Sequence, residues 1–368
     1  MSLSSLDIHY LLKELEVLVG ARVDKIYHPA KKELVVQLYQ RSKGTVILRF
    51  LVPEAFYLTE YKQKQQETPS GFCNLLRKHL QSSRLKALRQ FESERIVELV
   101  FEKGEIFRLI FELFSKGNIV LCREDYTIIA PVEVQKWKAR IVQAQQKYDY
   151  PKKEVNLLQL EENSLNQLFE KSNKSVVKTL AIDLGLGGLW AEELCLRAKV
   201  DKNLMKLGDA ELKRLYTNIK EMVGQEIAAG IVYEGQLVKA IIPFLFKSLG
   251  KAQHYASFNE AISEVFTKGL IIQESAELTS QQTKRVEKLQ LIVQKQEEHV
   301  VELKAEIELA TSQGNAFFEN YQLIIGILEE ITKISKSHSW EEIAKRLKGH
   351  SLIKEVNPKE KSVLLELK

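Results

Sequence analysis

Hydrophobic positions along this chain change their period several times, and each change predicts a change of element. Leu6, Leu11, Leu12, Leu15 and Leu18 recur at helical spacing, so a helix is expected from Ser5 to Leu18, capped by Ser4 or Ser5 and stopped by Gly20. From Ala21 to Glu60 the runs shorten and fill with Val, Ile, Leu and Tyr. Glu33 to Tyr39 and Thr45 to Val52, separated by turn residues including Ser42 to Gly44, have the pattern of antiparallel strands. Gly71 to Arg89 reads as helix. Glu94 to Glu102, Glu105 to Leu113 and Gly117 to Cys122 read as strands broken at Gly104 and Gly117. An α+β unit is therefore expected first.

Further along, Lys136 to Lys153 is polar and basic and reads as a linker, with Pro151 close after Tyr148. Ser175 to Asp201 holds two helical runs around Leu184-Gly185-Leu186-Gly187-Gly188, the spacing of a helix-hairpin-helix or of a plain turn in a helical bundle. Asp209 to Val223 adds a helix, and Ile231 to Leu245 a short hairpin near Gly235. From Thr279 the period becomes heptad: Val286, Leu289, Val293, Gln296, Val300, Leu303, Ile307 and Ala310 alternate three and four apart. A helix of that first stretch would be on the order of 45 Å long. The register continues through Phe317, Tyr321, Ile324, Leu328 and Ile331, with a bend or break expected at Ser312 to Asn315 around Gly314. No second heptad segment occurs in the sequence, so the seam is expected to meet a missing segment or a second copy. Ile353 to Leu367 is strand-like. The expected boundaries are 1–150, 151–270 and 271–368.

Composition agrees with a folded chain, since 45% of residues are hydrophobic, 28% are charged and only seven are proline. Apolar runs such as Leu237 to Leu245 are interrupted by Lys239 and Pro243 and fall short of the roughly 20 residues of a membrane span. Met1 to Tyr10 lacks a basic flank and a cleavage pattern, which points to a protein retained inside the cell. Cys73, Cys122 and Cys195 are too scattered for a disulfide framework or a zinc knuckle. The net charge of +5 is mild, so its distribution carries more information than its size.

Candidate chemistry is sparse. The histidines are scattered, no His-x-x-x-His or Cys-x-x-Cys pair occurs, and no Walker loop, nucleophile elbow or dinucleotide fingerprint is present. No metal, cofactor or catalytic residue is therefore expected. Basic runs stand out instead. Between Thr68 and Phe91 there is no acidic residue, while Arg77, Lys78, Arg84, Lys86 and Arg89 accumulate, a pattern suited to RNA phosphates. A second run, Lys136, Lys138, Arg140, Lys147, Lys152 and Lys153, is interleaved with Trp137, Tyr148 and Tyr150, which could stack on unpaired bases. The alternatives are a solvated helix face for the first run and a flexible linker for the second.

Ser5-Leu6-Asp7-Ile8, the run Gly20 to Tyr27, Leu75 to Leu80 and Phe111 to Leu121 together resemble the amino-terminal domain of the NFACT family. Leu186 to Ala198 resembles that family's helix-hairpin-helix segment, and Gln313 to Tyr321 the signature of its middle coiled-coil module. The resemblance implies a mixed β-rich domain, a helical domain and a long coiled-coil helix. It also implies a cytoplasmic, ribosome-associated factor that binds large ribosomal subunits blocked by peptidyl-tRNA and recruits tRNA to extend the stalled peptide without a message. The ribosome would make the bond, so the protein's part would be positioning rather than enzymatic catalysis. By the same resemblance, tRNA contact falls to Asp7 and to an acid-arginine pair on a later strand, here Glu94-Arg95, where the family's aspartate is replaced by glutamate. The family's returning coiled-coil helix and basic NFACT-R domain are not among these residues.

Two other classes stand beside this reading. The first module also resembles formamidopyrimidine-type DNA glycosylases, whose amino-terminal proline amine and following glutamate are replaced here by Met1, Ser2, Leu3 and Ser4. That leaves nucleic-acid binding without base excision. The NFACT family also carries an older label of fibronectin-binding protein, which would mean a surface adhesin.

Overall fold

A computed structural model of the chain describes residues 1–62, 68–137, 140–151 and 155–366, with the backbone alone at 277–281. They form two compact units, Met1–Gln273 and Glu274–Lys368. The α+β class expected from the sequence is the class observed. Helix α1 (Ser5–Leu15) is started by Ser4, whose hydroxyl accepts from the Asp7 amide while the Asp7 carboxylate accepts from the Ser4 amide. This capping box satisfies two donors that a helix start otherwise leaves open.

Strands β1 (Arg22–Ala30), β2 (Glu33–Gln40), β3 (Gly44–Leu51) and β4 (Ala55–Thr59) precede helix α2 (Gly71–Leu80). Strands β5 (Arg84–Gln90), β6 (Ile96–Lys103), β7 (Glu105–Glu112), β8 (Asn118–Arg123) and β9 (Ile128–Pro131) follow it. All nine join one sheet in the order β4-β3-β2-β1-β5-β6-β7-β8-β9. Side chains alternate between its faces. Val97, Leu99, Phe101, Phe107, Leu109 and Phe111 enter the main core with α1 and α2. Ile96, Ile110, Val120 and Cys122 point the other way into a smaller core with Val142 and Tyr148. We call that second side the outer face. Gly117 closes the β7–β8 turn at φ +70, where an added Cβ would lie 2.4 Å from Val52 Cγ1, so no side chain fits.

The helix expected over 71–89 ends earlier. Gln81 leaves helical geometry, Ser82 adopts φ 69, and the Ser83 hydroxyl donates to the Leu80 carbonyl. Beyond this cap the chain pairs with β6 and its Leu85 enters the core, so Arg84, Lys86 and Arg89 stand on strand β5. The linker expected over 136–153 is also corrected. Strands β10 (Gln135–Lys136) and β11 (Ile141–Val142) pair, Thr127 bridges Lys147, and Tyr148 is buried on the outer face. Aromatic burial there outweighs the polar composition that suggested a linker. Lys138, Lys152 and Lys153 lie outside the described residues.

Next come α3 (Glu162–Lys171), the single turn α4 (Val176–Lys178), a π-helical turn Thr179–Asp183, α5 (Gly188–Ala198) and α6 (Asp209–Gly224). Gly185 and Gly187 both have positive φ between the π turn and α5, so the two helical runs meet through the expected sharp hairpin. Strands β12 (Gly230–Glu234), β13 (Leu237–Ile242) and β14 (Gln253–His254) form a small sheet. Helix α7 (Phe258–Glu319) starts against the large sheet: Glu14 accepts from the Phe258 and Asn259 amides at 2.8 and 2.7 Å. The Asn259 amide group bonds the Leu58 N–H and carbonyl, occupying the edge of β4.

In the second unit α7 continues, followed by α8 (Tyr321–Ser335), α9 (Trp340–Arg346) and a hairpin of β15 (Ile353–Asn357) and β16 (Ser362–Leu365). The strand-like run from Ile353 is thus a hairpin, and Leu367 lies outside the described residues. The break expected at Gly314 is absent; α7 runs to Glu319 and ends where Asn320 adopts φ −100 and ψ 11. A single glycine costs a helix only about 1 kcal/mol, too little to end one this long. Val286, Leu289, Val293, Val300, Leu303 and Ile307 are all exposed, as the heptad seam predicted. Among the described residues no helix is long and apolar enough to cross a membrane.

Candidate nucleic-acid interface

Asp7 sits in the first turn of α1, and its two carboxylate oxygens serve two different elements. Oδ2 accepts from the Ser4 amide at 2.7 Å, and Oδ1 accepts from Trp190 Nε1 at 3.1 Å. Trp190 lies in the first turn of α5, directly after the glycine hairpin, so one carboxylate joins the start of α1 to the start of α5. Gly187, at φ +81, brings its backbone beside Ser4, whose Cβ is 4.0 Å from the site of an added Cβ. Burial raises the Asp7 pKa above its ordinary value, opposed by the bonds from Ser4 and Trp190 and by the charge of Arg95.

Glu94 and Arg95 reach this place through a turn. The sequence put them on a strand, but Glu92 takes φ 49, the Glu94 amide donates to Phe91 O at 2.9 Å, and β6 begins only at Ile96. Gln90 Nε2 then donates to Glu94 O at 2.8 Å and to Ser5 O at 3.0 Å, while Ser5 Oγ donates to Ser93 O at 2.5 Å. These bonds fix the turn against the start of α1. Arg95 Nη2 donates to Pro53 O at 3.2 Å, and burial lowers its pKa while the charge of Asp7 raises it. The structure therefore brings Asp7 and Arg95 within electrostatic reach. It does not expose all three residues: Glu94 and Arg95 are half-buried, whereas Asp7 is only 8% exposed. An accessible triad is thus replaced by a half-buried pair with a buried carboxylate behind it. The desolvated helix start, where the Asp7 carboxylate serves both the Ser4 amide and Trp190, is the reason.

The first basic run divides between two elements. On α2, Lys78 is exposed, but Arg77 is half-buried, with Nε donating to Ile26 O at 2.9 Å and the guanidinium 5.7 Å from the Tyr27 ring centre. On β5, Arg84 and Lys86 are exposed; Lys86 pairs with Glu102 at 2.9 Å. Arg84 stands directly opposite Arg22 on β1, and Arg22 is also exposed. Like charges opposed across strands repel, and Glu102 stands opposite Arg84 on its other side.

The second run buries Tyr148 and leaves Tyr150 half-buried. Tyr148 is buried and donates to Glu112 Oε1 at 2.7 Å, and Tyr150 stacks on Phe91 at 3.6 Å. Arg140 Nη2 donates to the same Glu112 oxygen at 2.6 Å. Trp137, 40% exposed, keeps the accessibility expected of it. Sequence reasoning missed Glu112, Gln90 and Ser93, whose roles come from contacts remote in sequence. Among the described residues no group of three or more His, Cys, Asp or Glu is placed to hold a metal.

The chain is 28% identical over 390 residues to the archaeal Rqc2 homolog aRqcH of Methanocaldococcus jannaschii, an alignment covering all of this chain and 58% of that protein. It is 36% identical over 140 residues to ribosome quality control complex subunit 2 of Saccharomyces cerevisiae, covering 35% of this chain and 12% of that protein. The chain thus spans little more than half the length of the archaeal relative. The N-terminal structure of the fibronectin/fibrinogen-binding protein from Streptococcus suis superposes with a TM-score of 0.60 at 20% identity, covering 73% of this chain and 100% of that one, and so shares the fold. The family model for NFACT N-terminal and middle domains matches residues 4–362, and the chain belongs to that family.

Proposed function

We propose that the chain is the RNA-engaging part of a ribosome quality control factor, which binds large ribosomal subunits carrying peptidyl-tRNA and recruits tRNA for message-independent tailing of the nascent chain. The observation that carries the reading is similarity, along the whole of this chain, to an archaeal Rqc2 homolog. The cytoplasm, where ribosomes work, is its place of action. Its contribution is binding and orientation, with the bond formed by the ribosome. In this reading Arg95 and Glu94 meet tRNA, and Asp7 is a positioning residue that holds the Arg95 turn and Trp190 in register. Arg77, Lys78, Arg84 and Lys86 supply phosphate contacts, with Arg77 contributing field rather than a free hydrogen-bonding fork. The adhesin and glycosylase readings have no comparable support from the site.

Arg95→Ala is expected to weaken tRNA association by about 1–3 kcal/mol, the range for a charge-assisted hydrogen bond. The measurement is sequencing and quantifying tRNA that copurifies with the tagged complete protein on stalled large subunits. Equal tRNA recovery by wild type and Arg95→Ala, at matched ribosome occupancy and melting temperature, would sink the assignment of Arg95. Absence of large subunits from the wild-type preparation would sink the function itself. Lys78→Ala and Arg84→Ala are expected to weaken RNA binding regardless of sequence. Each should flatten the slope of log K against log salt by roughly 0.7–0.9.

A further inference from the structure

Strand register brings the β5 part of the first basic run and Arg140 of the second, some 50 residues apart, onto one side of the sheet. Arg84 and Lys86 meet Glu102 on the outer face, Arg89 and Arg108 share Glu98 at 2.6 and 2.8 Å, and Arg140 reaches Glu112. At the Arg140 end lies a cleft of about 780 Å³ lined by Phe114, Trp137, Arg140, Asp149, Tyr150 and Pro151. We infer that this cleft receives an unpaired nucleobase of bound RNA, one that presents an exocyclic amine. The inference rests on the RNA-binding reading above and adds to it a base-binding site distant in sequence from Asp7, Glu94 and Arg95.

The walls are suited to a flat ring. Tyr150 is held by its stack on Phe91 and by edge contacts with Tyr126 and Tyr148 at 5.7 and 5.1 Å, so little side-chain freedom is lost when a ligand arrives. Trp137 is the exposed wall, with the Arg140 guanidinium 4.6 Å from its ring centre. Aromatic rings grouped around a cation also describe a cage for a basic or methylated side chain, but here the chain's own Arg140 takes the cation's place. It lies within 5.7 Å of the Phe114 and Tyr148 ring centres and is held by Glu112 and by its bond to Asp149 O. A second cation would meet Arg140, and an acidic side chain would meet the exposed Asp149 carboxylate. A neutral ring meets neither difficulty. Its face can stack on Trp137, as bases do on aromatic platforms, and its amine can donate to Asp149. Exposed Lys116 and Lys136, each next in sequence to a lining residue, supply partners for the adjoining phosphates.

The test is fluorescence anisotropy of labelled single-stranded RNA decamers on the full chain. Trp137→Ala is expected to weaken binding roughly tenfold and Trp137→Phe much less, because stacking survives with any aromatic ring. Adenine- or cytosine-rich decamers should bind more tightly than oligouridylate, and Asp149→Asn should shrink that preference. If Trp137→Ala does not fold, the exposed Asp149→Asn decides the matter by the preference alone. Wild type that binds RNA with Trp137→Ala indistinguishable from it, or with base preference unaltered by Asp149→Asn, would overturn the cleft and leave the RNA-binding reading standing. Wild type that binds no RNA would overturn both. Displacement of the RNA by a trimethyl-lysine peptide, with no displacement by adenosine or cytidine monophosphate, would assign the cleft to a protein and overturn the proposal.

Discussion

Trp190→Ala should destabilise the first unit by about 3–5 kcal/mol, the range for removing a fully buried large aromatic side chain. Trp190 is 1% exposed and packs among Tyr10, Phe244 and Phe246, with ring centres 6.2, 5.5 and 4.8 Å away. Those rings come from α1 and from the segment after β13, so one side chain joins three parts of the chain. The indole also donates to Asp7, and its loss leaves a buried carboxylate with one partner fewer. Trp190→Phe separates the two effects: it keeps most of the packing and removes the donor, and about 1.5–3 kcal/mol is expected for a hydrogen bond to a charged group. Urea unfolding followed by far-ultraviolet circular dichroism measures both. A loss below about 1 kcal/mol for Trp190→Ala would show that the helical segment is held to the sheet by other contacts.

Glu193→Ala is expected to cost a similar amount, about 3–5 kcal/mol, by leaving the partner of a buried ion pair uncompensated. Glu193 is wholly buried on α5 and accepts from Arg197 Nε at 2.5 Å and from the Lys247 and Ser248 amides at 2.9 and 2.8 Å. Burial pushes its pKa upward, but the Arg197 bond and the two amides together pull it below the ordinary value of 4.5. A carboxylate with a depressed folded pKa adds stability that is complete above its unfolded pKa and is lost as pH falls through the lower folded value. Wild type should therefore lose stability as the solution is acidified below about pH 4.5. Glu193→Gln should begin less stable and lose less over that interval. Parallel acid profiles for wild type and Glu193→Gln would contradict the assignment.

Much of the architecture was legible because local pattern and tertiary preference agree. Ser4 and Asp7 form a capping box three residues apart, and the β-branched and apolar runs of Glu33 to Tyr39 and Thr45 to Val52 fall, Val52 apart, in paired strands. The apolar seam on α7 follows from heptad spacing alone. Failures cluster where long-range contacts outweigh local composition. Nothing near Arg84 says that β6 will pair with it, and the polar run around Tyr148 does not reveal the surface that buries its rings. At Glu94 and Arg95 the extended pattern continued into what is a turn, since its closure depends on Gln90 and on Ser5, which lies almost 90 residues earlier in the chain.

The sequence by itself determined the residue types of the candidate site: an acid in the first turn of α1, an arginine before β6, basic runs on either side of the hydrophobic strands. Short-range rules suffice there, since capping, alternation and charge spacing act within a few residues. Only the tertiary structure decided which groups touch solvent. Asp7 is buried because α5 brings Trp190 over it; Arg84 and Arg140 share a face because nine strands fix a common register. Exposure and register are set by contacts between segments as far apart as Asp7 and Trp190, and a residue's own neighbours along the chain do not encode them.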